Sequence, residues 1–273
     1  MAEETVVLAT PAFGAPLSAS MIREIESVGR VRVVQLTGDG RVHDGADGAL
    51  ERATVLFRSD LSAGMLEHLL RRAPNLRWIH SLSAGIERVA IPAVAERGLL
   101  VTNGRGVFSR PIAEYVVMML LAIARRLPQL LELQRERTWQ PLGGRELSEL
   151  TLGIVGYGSI GSEVARLLDP FGMRILATRR HPERGAGQLR NVELIAPERL
   201  GELLAASDVV LVALPLTAAT TGVIGANELQ QMRPDAWLIN IARGRLVDEA
   251  ALRRALAAGS IGGAVLDVFT EEP

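Results

Sequence analysis

The sequence contains no cysteine and no lysine, and each absence removes chemistry. Without cysteine there is no disulfide framework, no thiolate metal site and no cysteine nucleophile, and redox logic leaves the compartment undecided. Without lysine there is no Walker-type phosphate lysine, no Schiff base and no lysine general base. All 30 basic residues are therefore arginine, set against 31 acidic residues for a net charge of -1. With signs interspersed and no basic stripe, nothing asks for nucleic acid or an anionic membrane. Long apolar runs are also missing. The strongest, Tyr115 to Ala124, is far short of the roughly 20 residues that span a bilayer and reads as a buried helix. The acidic start Met1-Ala2-Glu3-Glu4 lacks the basic-then-apolar order of a signal peptide, so a cytoplasmic setting and a small polar ligand are expected.

What is present is an alternation of β-rich and helical runs in a chain of 273 residues, 48% of them apolar, enough for two α/β domains. The first runs are Thr5–Ala9, Ser18–Ser27, Val31–Leu36, Ala53–Phe57, Ser62–Arg72, Leu76–His80 and Leu99–Thr102. Strand, helix and strand in turn imply a parallel sheet. Pro74-Asn75 stops a helix, and Asp39-Gly40 with Asp44-Gly45 marks an exposed loop. A long helix is expected over Ser109–Arg126, ended by Pro128, followed by an exposed arm over Leu130–Gly144. Helix Ser159–Leu168, strand Met173–Thr178, a polar loop, helix Pro197–Ala206 and strand Asp208–Pro215 come next. A short helix near Asn227–Met232, strand Ala236–Ala242, helix Asp248–Ala258 and strand Gly262–Phe269 complete the series.

The chemistry centres on Thr151 to Gly161, where an apolar run breaks into Gly156, Gly158 and Gly161 and then turns helical. The first glycine permits a tight turn off a strand, the second lets backbone approach a diphosphate, and the third lets the helix pack on the sheet. Free N–H groups and the positive dipole end at Ser159 and Ile160 suit a pyrophosphate. The strand-turn-helix context is that of a dinucleotide site. At the end of the second strand of this half, Thr178-Arg179-Arg180 replaces the acidic residue that usually meets the ribose of NAD, and two guanidiniums with a hydroxyl suit a 2′-phosphate. NADP(H) is therefore expected in preference to NAD(H), with a solvated basic loop as the alternative. Arg243 follows the apolar strand Trp237–Ala242, at the carboxyl end of the sheet where open α/β folds place ligands. A guanidinium there can hold a carboxylate and a carbonyl oxygen in one plane, or else pair with Asp248 or Glu249.

Several ordered segments resemble the D-isomer-specific 2-hydroxyacid dehydrogenases, over nearly the whole chain. They are Ser81-Leu82-Ser83-Ala84-Gly85, Ala113-Glu114-Tyr115 with Arg125-Arg126, Leu214-Pro215-Leu216-Thr217, Asn240-Ile241-Ala242-Arg243-Gly244, and Leu266-Asp267-Val268-Phe269 through Glu272-Pro273. The resemblance implies a flavodoxin-like substrate domain over 1–103 and a Rossmann cofactor domain over 104–273. It implies reduction of a small 2-oxo acid such as glyoxylate or hydroxypyruvate to its D-2-hydroxy acid, in a homodimer whose domains close over the hydride path. Ser83, Ala84 and Gly85 would hold the substrate carboxylate. Arg243 would bind substrate and oxyanion, and Glu272 would orient a histidine. Leu214, Pro215, Thr220, Ile241, Ala242, Arg243 and Asp267 would join the glycine turn around the cofactor; no metal is implied. The family's histidine lies downstream of the glutamate-proline pair, so a shortened chain is expected, with its first domain lacking a closing segment and exposing an apolar face. His43, His68 and His181 read as surface residues, and His80 alone sits near the carboxylate loop. The rival expectations are an NADP-binding sensor or fragment without turnover, and another enzyme of the same architecture, such as formate or phosphite dehydrogenase.

Overall fold

A computed structural model describes residues 4–12, 15–42, 48–59, 61–187 and 189–272. His43 and the Asp44-Gly45 turn expected from the sequence lie outside the described residues, as does Pro273. The chain divides into two compact units, Met1–Val107 and Phe108–Pro273.

The first unit runs β1 (Thr5–Ala9), α1 (Ala19–Glu26), β2 (Val31–Gln35), α2 (Ala49–Arg52), β3 (Ala53–Arg58), α3 (Ala63–Arg72), β4 (Trp78–Ser81), α4 (Pro92–Glu96) and β5 (Leu100–Asn103). All strands pair in parallel in the order β2-β1-β3-β4-β5, the flavodoxin-like winding. Ser18 and Ser62 start their helices by accepting the Met21 and Met65 N–H groups. Val6, Leu8, Leu56 and Ile79 on the strands pack with Leu50, Leu66, Leu69, Leu70 and Val94 on the helices. Arg97 closes the end of α3, donating to the carbonyls of Leu70, Ala73, Pro74 and Leu76 that a helix terminus leaves without partners. The short α2 and α4 are additions to the sequence reading. On β4 and β5, Trp78 and Leu100 remain exposed.

The second unit begins with α5 (Ser109–Ala124) and α6 (Leu127–Arg135). Here the sequence reading is corrected: Pro128 does not end the first helix but sits in the first turn of the second, where a missing N–H costs little. The break is made by Arg126 in the left-handed region, φ 55°. The first six residues of the expected arm are thus helix. There follow β6 (Thr151–Val155), α7 (Ser159–Leu168), β7 (Arg174–Thr178), β8 (Val192–Ile195), α8 (Leu200–Ala206), β9 (Val209–Val212), α9 (Ala226–Gln231), β10 (Trp237–Asn240), α10 (Glu249–Ala257) and β11 (Gly263–Leu266). The unexpected member is β8, four residues within the stretch read as a polar loop.

These strands are all parallel, ordered β11-β10-β9-β6-β7-β8, the Rossmann order. Successive side chains point to opposite faces. Val209 and Leu211 of β9 pack with α5 and α7, whereas Val210 and Val212 pack with α8, α9 and α10. Helices on both faces explain why these strands are apolar throughout. At the amino edge, buried Asp208 accepts the Thr151 N–H at 2.8 Å and pairs with Arg145 at 2.9 Å, tying the connection into β6 to the start of β9. Among the described residues no helix is long and apolar enough to cross a membrane.

Candidate active site

The winding of the second sheet reverses between β6 and β9, and the crevice beyond the carboxyl ends of such strands is where open α/β sheets receive ligands. The three glycines sit there and meet three different surroundings. At Gly156, with φ 108°, an added Cβ would stand 2.8 Å from the Ala213 carbonyl oxygen and 2.9 Å from Leu214 Cδ2, so the turn off β6 is pressed against the turn after β9. At Gly161 it would stand 2.7 Å from the Gly156 carbonyl oxygen and 3.0 Å from Ile154 Cγ2, the close approach of α7 to its strand. At Gly158 it would meet nothing within 4 Å. The middle glycine therefore opens on space rather than on protein. It also caps α7 without a side chain, leaving the N–H groups of Ser159, Ile160 and Gly161 for an anion at the positive end of that helix.

Thr178, at the end of β7, is buried and clasps this turn. Its hydroxyl accepts the Gly156 N–H at 3.0 Å and its carbonyl accepts the Tyr157 N–H at 2.8 Å. The hydroxyl expected to face a 2′-phosphate is thus engaged in holding the turn. Arg179 is half-buried; it donates to the Gly185 carbonyl at 2.8 Å and lies 5.9 Å from the centre of the Tyr157 ring, while Arg180 is exposed. Burial pushes the Tyr157 phenol above its ordinary pKa, against the opposing pull of Arg179. On the other side of the crevice Thr220 donates to the Pro215 carbonyl at 2.7 Å and accepts the Thr217 N–H at 2.8 Å, fixing the turn that carries Leu214 and Pro215.

The segments carrying Arg243 and Glu272 meet in the same unit. Asn240, buried at the end of β10, folds the chain into a turn: its amide donates to the Arg243 carbonyl at 2.9 Å and its oxygen accepts the Ala242 N–H at 3.1 Å. Ile241 and Ala242 are buried, and half-buried Arg243 donates to the Ala242 carbonyl at 2.7 Å. Gly244 then touches the other segment backbone to backbone, since a Cβ there would fall 2.0 Å from the Phe269 carbonyl carbon. The Asp267 N–H bonds the Asn240 carbonyl at 3.0 Å, and Glu249 accepts the Thr270 N–H at 2.6 Å. Glu272 accepts the Phe269 N–H at 3.3 Å through Oε1. Asp248 caps α10 by accepting the Ala251 N–H. The exposed Asp267 carboxylate adds to the burial that raises the Tyr115 phenol pKa, which sets α5 beside this segment.

In the first unit, Ser83, Ala84 and Gly85 form a loop after β4 whose shape is held from β5. The Asn103 amide donates to the Ala84 carbonyl at 2.7 Å, the Gly104 N–H reaches the Ser81 carbonyl at 2.8 Å, and the Ser83 hydroxyl donates to the Gly85 carbonyl at 2.9 Å. His80 is half-buried, stacked on Phe57 at 5.3 Å and bonded through Nδ1 to Thr102 at 2.8 Å. Because Trp78 Nε1 also donates to that hydroxyl, the hydroxyl proton is available to His80 Nδ1. His68 is exposed on α3, and His181 is exposed beside Glu183. The positioning roles of Tyr157, Asn240, Glu249 and Asn103 are not assigned by the sequence. Only Asn240 carried a signal, an Asn at a strand-to-turn junction.

Comparison with known proteins agrees with this geometry. Residues 117–273 match the family model for the NAD binding domain of D-isomer specific 2-hydroxyacid dehydrogenases. A glyoxylate reductase of Thermococcus gammatolerans is 40% identical over 210 residues, which cover 74% of this chain and 62% of the relative. The chain therefore spans less than two thirds of the length of that curated relative. Among solved structures, a D-isomer specific 2-hydroxyacid dehydrogenase from Xanthobacter autotrophicus Py2, in complex with NADPH and MES, aligns over 97% of this chain and 82% of its own, with a TM-score of 0.80 and 29% identity. A D-lactate dehydrogenase from Aquifex aeolicus, complexed with NAD and lactic acid, aligns over 97% of this chain and 77% of its own, with a TM-score of 0.75 and 28% identity. The second unit carries the family's nicotinamide-cofactor fold, and the chain belongs to the D-isomer-specific 2-hydroxyacid dehydrogenase family.

Proposed function

We propose that this chain reduces a small 2-oxo acid, such as glyoxylate or hydroxypyruvate, to its D-2-hydroxy acid with NADPH. The observation that carries the reading is the combination, in one unit, of a glycine cradle open at Gly158 and a stitched turn presenting Arg243 at the same carboxyl edge. The fit to a dinucleotide rests on that open cradle, and when bound the nicotinamide would supply the hydride. Residues of this chain bind and orient the substrate, and the proton that the alkoxide takes up would come from the histidine that the family carries downstream of the glutamate-proline pair. Arg243 binds the carboxylate and carbonyl oxygen and stabilises the developing alkoxide. Ser83, Ala84 and Gly85 offer N–H groups to the carboxylate. The Glu272 carboxylate, which accepts the Phe269 N–H through Oε1, would engage that histidine's imidazole N–H through Oε2, fix its tautomer and favour its charged form. The glyoxylate reductase name of the Thermococcus gammatolerans relative supports the substrate class.

The test follows NADPH absorbance with glyoxylate and hydroxypyruvate while cofactor binding is titrated in parallel. Oxidation with either acid is expected. Binding without oxidation, with no rate recovered when the family's downstream histidine segment is appended, overturns the enzymatic reading in favour of a cofactor-binding protein without turnover. The preference for NADP(H) over NAD(H) rests on Arg179 and Arg180, which stand where an acidic residue would meet a bare ribose. Arg179→Asp is expected to move the ratio of kcat/KM for NADPH and NADH at least tenfold toward NADH; equal loss for both cofactors, or none, sinks the assignment.

A homodimer and a cytoplasmic setting belong to the same proposal. Met118 and Leu121 of α5 and Leu127, Leu130 and Leu131 of α6 are exposed, with Trp139 beyond them 96% exposed. An apolar surface of that kind suits a subunit contact. Sedimentation equilibrium is expected to return a dimer, and Leu130→Arg with Leu131→Arg to weaken it by about tenfold or more. Fractionation of expressing cells tests the location.

A further inference from the structure

One residue separates the first two glycines of the turn. Here it is Tyr157, whose side chain is almost wholly buried in the core formed by β6, β7 and α7, with its ring turned under a guanidinium. Arg179 Cζ lies 5.9 Å from the ring centre, within the range of a cation–π contact. The same guanidinium is held on another side by the Gly185 carbonyl at 2.8 Å, and its backbone N–H is fixed to the Ile195 carbonyl of β8 at 2.9 Å. Gly185 takes φ 66°, and its N–H bonds the Pro182 carbonyl, which shapes the loop that turns the Gly185 carbonyl to the arginine. Arg180 has no comparable seat and is exposed.

We propose that Tyr157 is a positioning residue for cofactor selection: it seats Arg179 at the adenosine end of the cradle, so that the glycine turn itself takes part in choosing a 2′-phosphate over a bare ribose. The inference rests on the NADP(H) reading above. Its physical content is entropic as well as electrostatic. A free arginine loses rotamer freedom when it engages a phosphate. One already pinned between an aromatic ring and a carbonyl has lost much of it beforehand and presents its remaining N–H groups in a set direction.

The experiment measures dissociation constants of the full chain for adenosine 2′,5′-bisphosphate and for adenosine 5′-monophosphate by calorimetry, which requires no turnover. The wild-type chain is expected to bind the bisphosphate at least tenfold more tightly. Tyr157→Phe, which keeps the ring, should hold that ratio within about twofold. Tyr157→Leu should lower it five- to thirtyfold while leaving the monophosphate within about threefold. In an Arg179→Ala background the Tyr157→Leu effect should vanish, because the ring then has nothing to seat. A Tyr157→Leu variant that weakens both ligands equally, or neither, overturns the proposal while the NADP(H) reading stands. A wild-type chain that binds both ligands alike overturns that reading and this proposal with it.

Discussion

Arg243→Ala is expected to lower kcat/KM for glyoxylate by about a thousandfold, roughly 4 kcal/mol of lost transition-state stabilisation, with the NADPH dissociation constant changed by less than about threefold. The expectation follows from where the guanidinium sits. It leaves the carboxyl end of β10 on a turn fixed by Asn240, half-buried, where a charge–charge contact is worth more than in water. A planar fork can meet a carboxylate and the adjacent carbonyl oxygen together, which an ammonium cannot, so Arg243→Lys should recover no more than about tenfold. Initial rates with glyoxylate give the first quantity and a fluorescence titration of NADPH the second. A loss below about tenfold, or one carried wholly by NADPH affinity, would remove Arg243 from the chemistry.

Gly244→Ala is expected to destabilise the second unit by about 3–4 kcal/mol in urea unfolding, at the upper end of overpacking costs. The new methyl would fall 2.0 Å from the Phe269 carbonyl carbon, 2.2 Å from the Thr270 nitrogen and 2.3 Å from the Phe269 oxygen. All three are backbone atoms, so no side chain can rotate away; the segments bearing Arg243 and Glu272 must part. Gly158→Ala is the informative control. Its methyl meets nothing within 4 Å and its φ of -101° suits any residue, so stability should stay within about 1 kcal/mol while cofactor affinity falls, because the methyl occupies the cradle. A Gly244→Ala protein as stable as the parent would contradict the packing of these two segments.

Much of this architecture was legible because buried parallel strands announce themselves. The runs at Val6–Ala9, Leu152–Val155 and Val209–Val212 hold no polar side chain, and serines at positions 18 and 62 mark helix starts. The four residues of β8 were not legible. Val192 to Ile195 are four residues interrupted by Glu193 at the edge of the sheet, pair only with β7 and follow a polar stretch, so nothing local separates them from loop. The start of α6 was misread for a related reason: a proline reads as a stop, and whether it ends one helix or opens the next depends on Arg126, a left-handed residue that sequence does not flag. The same limit divides the candidate site. The three glycines could be assigned by spacing, because the motif is local. The clasp of Thr178 on Gly156 joins residues 22 apart in sequence, and the grip of Glu249 on Thr270 residues 21 apart; only the register of the sheet brings them together.

That clasp bears on how cofactor preference can be exchanged in this chain. Residues 178 to 180 look like a cassette to be traded for the acidic equivalent of an NAD enzyme. Thr178 is not a passenger in it. Its hydroxyl and carbonyl together suspend the glycine turn from the end of β7, so a replacement lacking the hydroxyl would slacken the grip on both cofactors at once. The exchangeable alphabet begins at Arg179, with Thr178 belonging to the frame in which those letters are read.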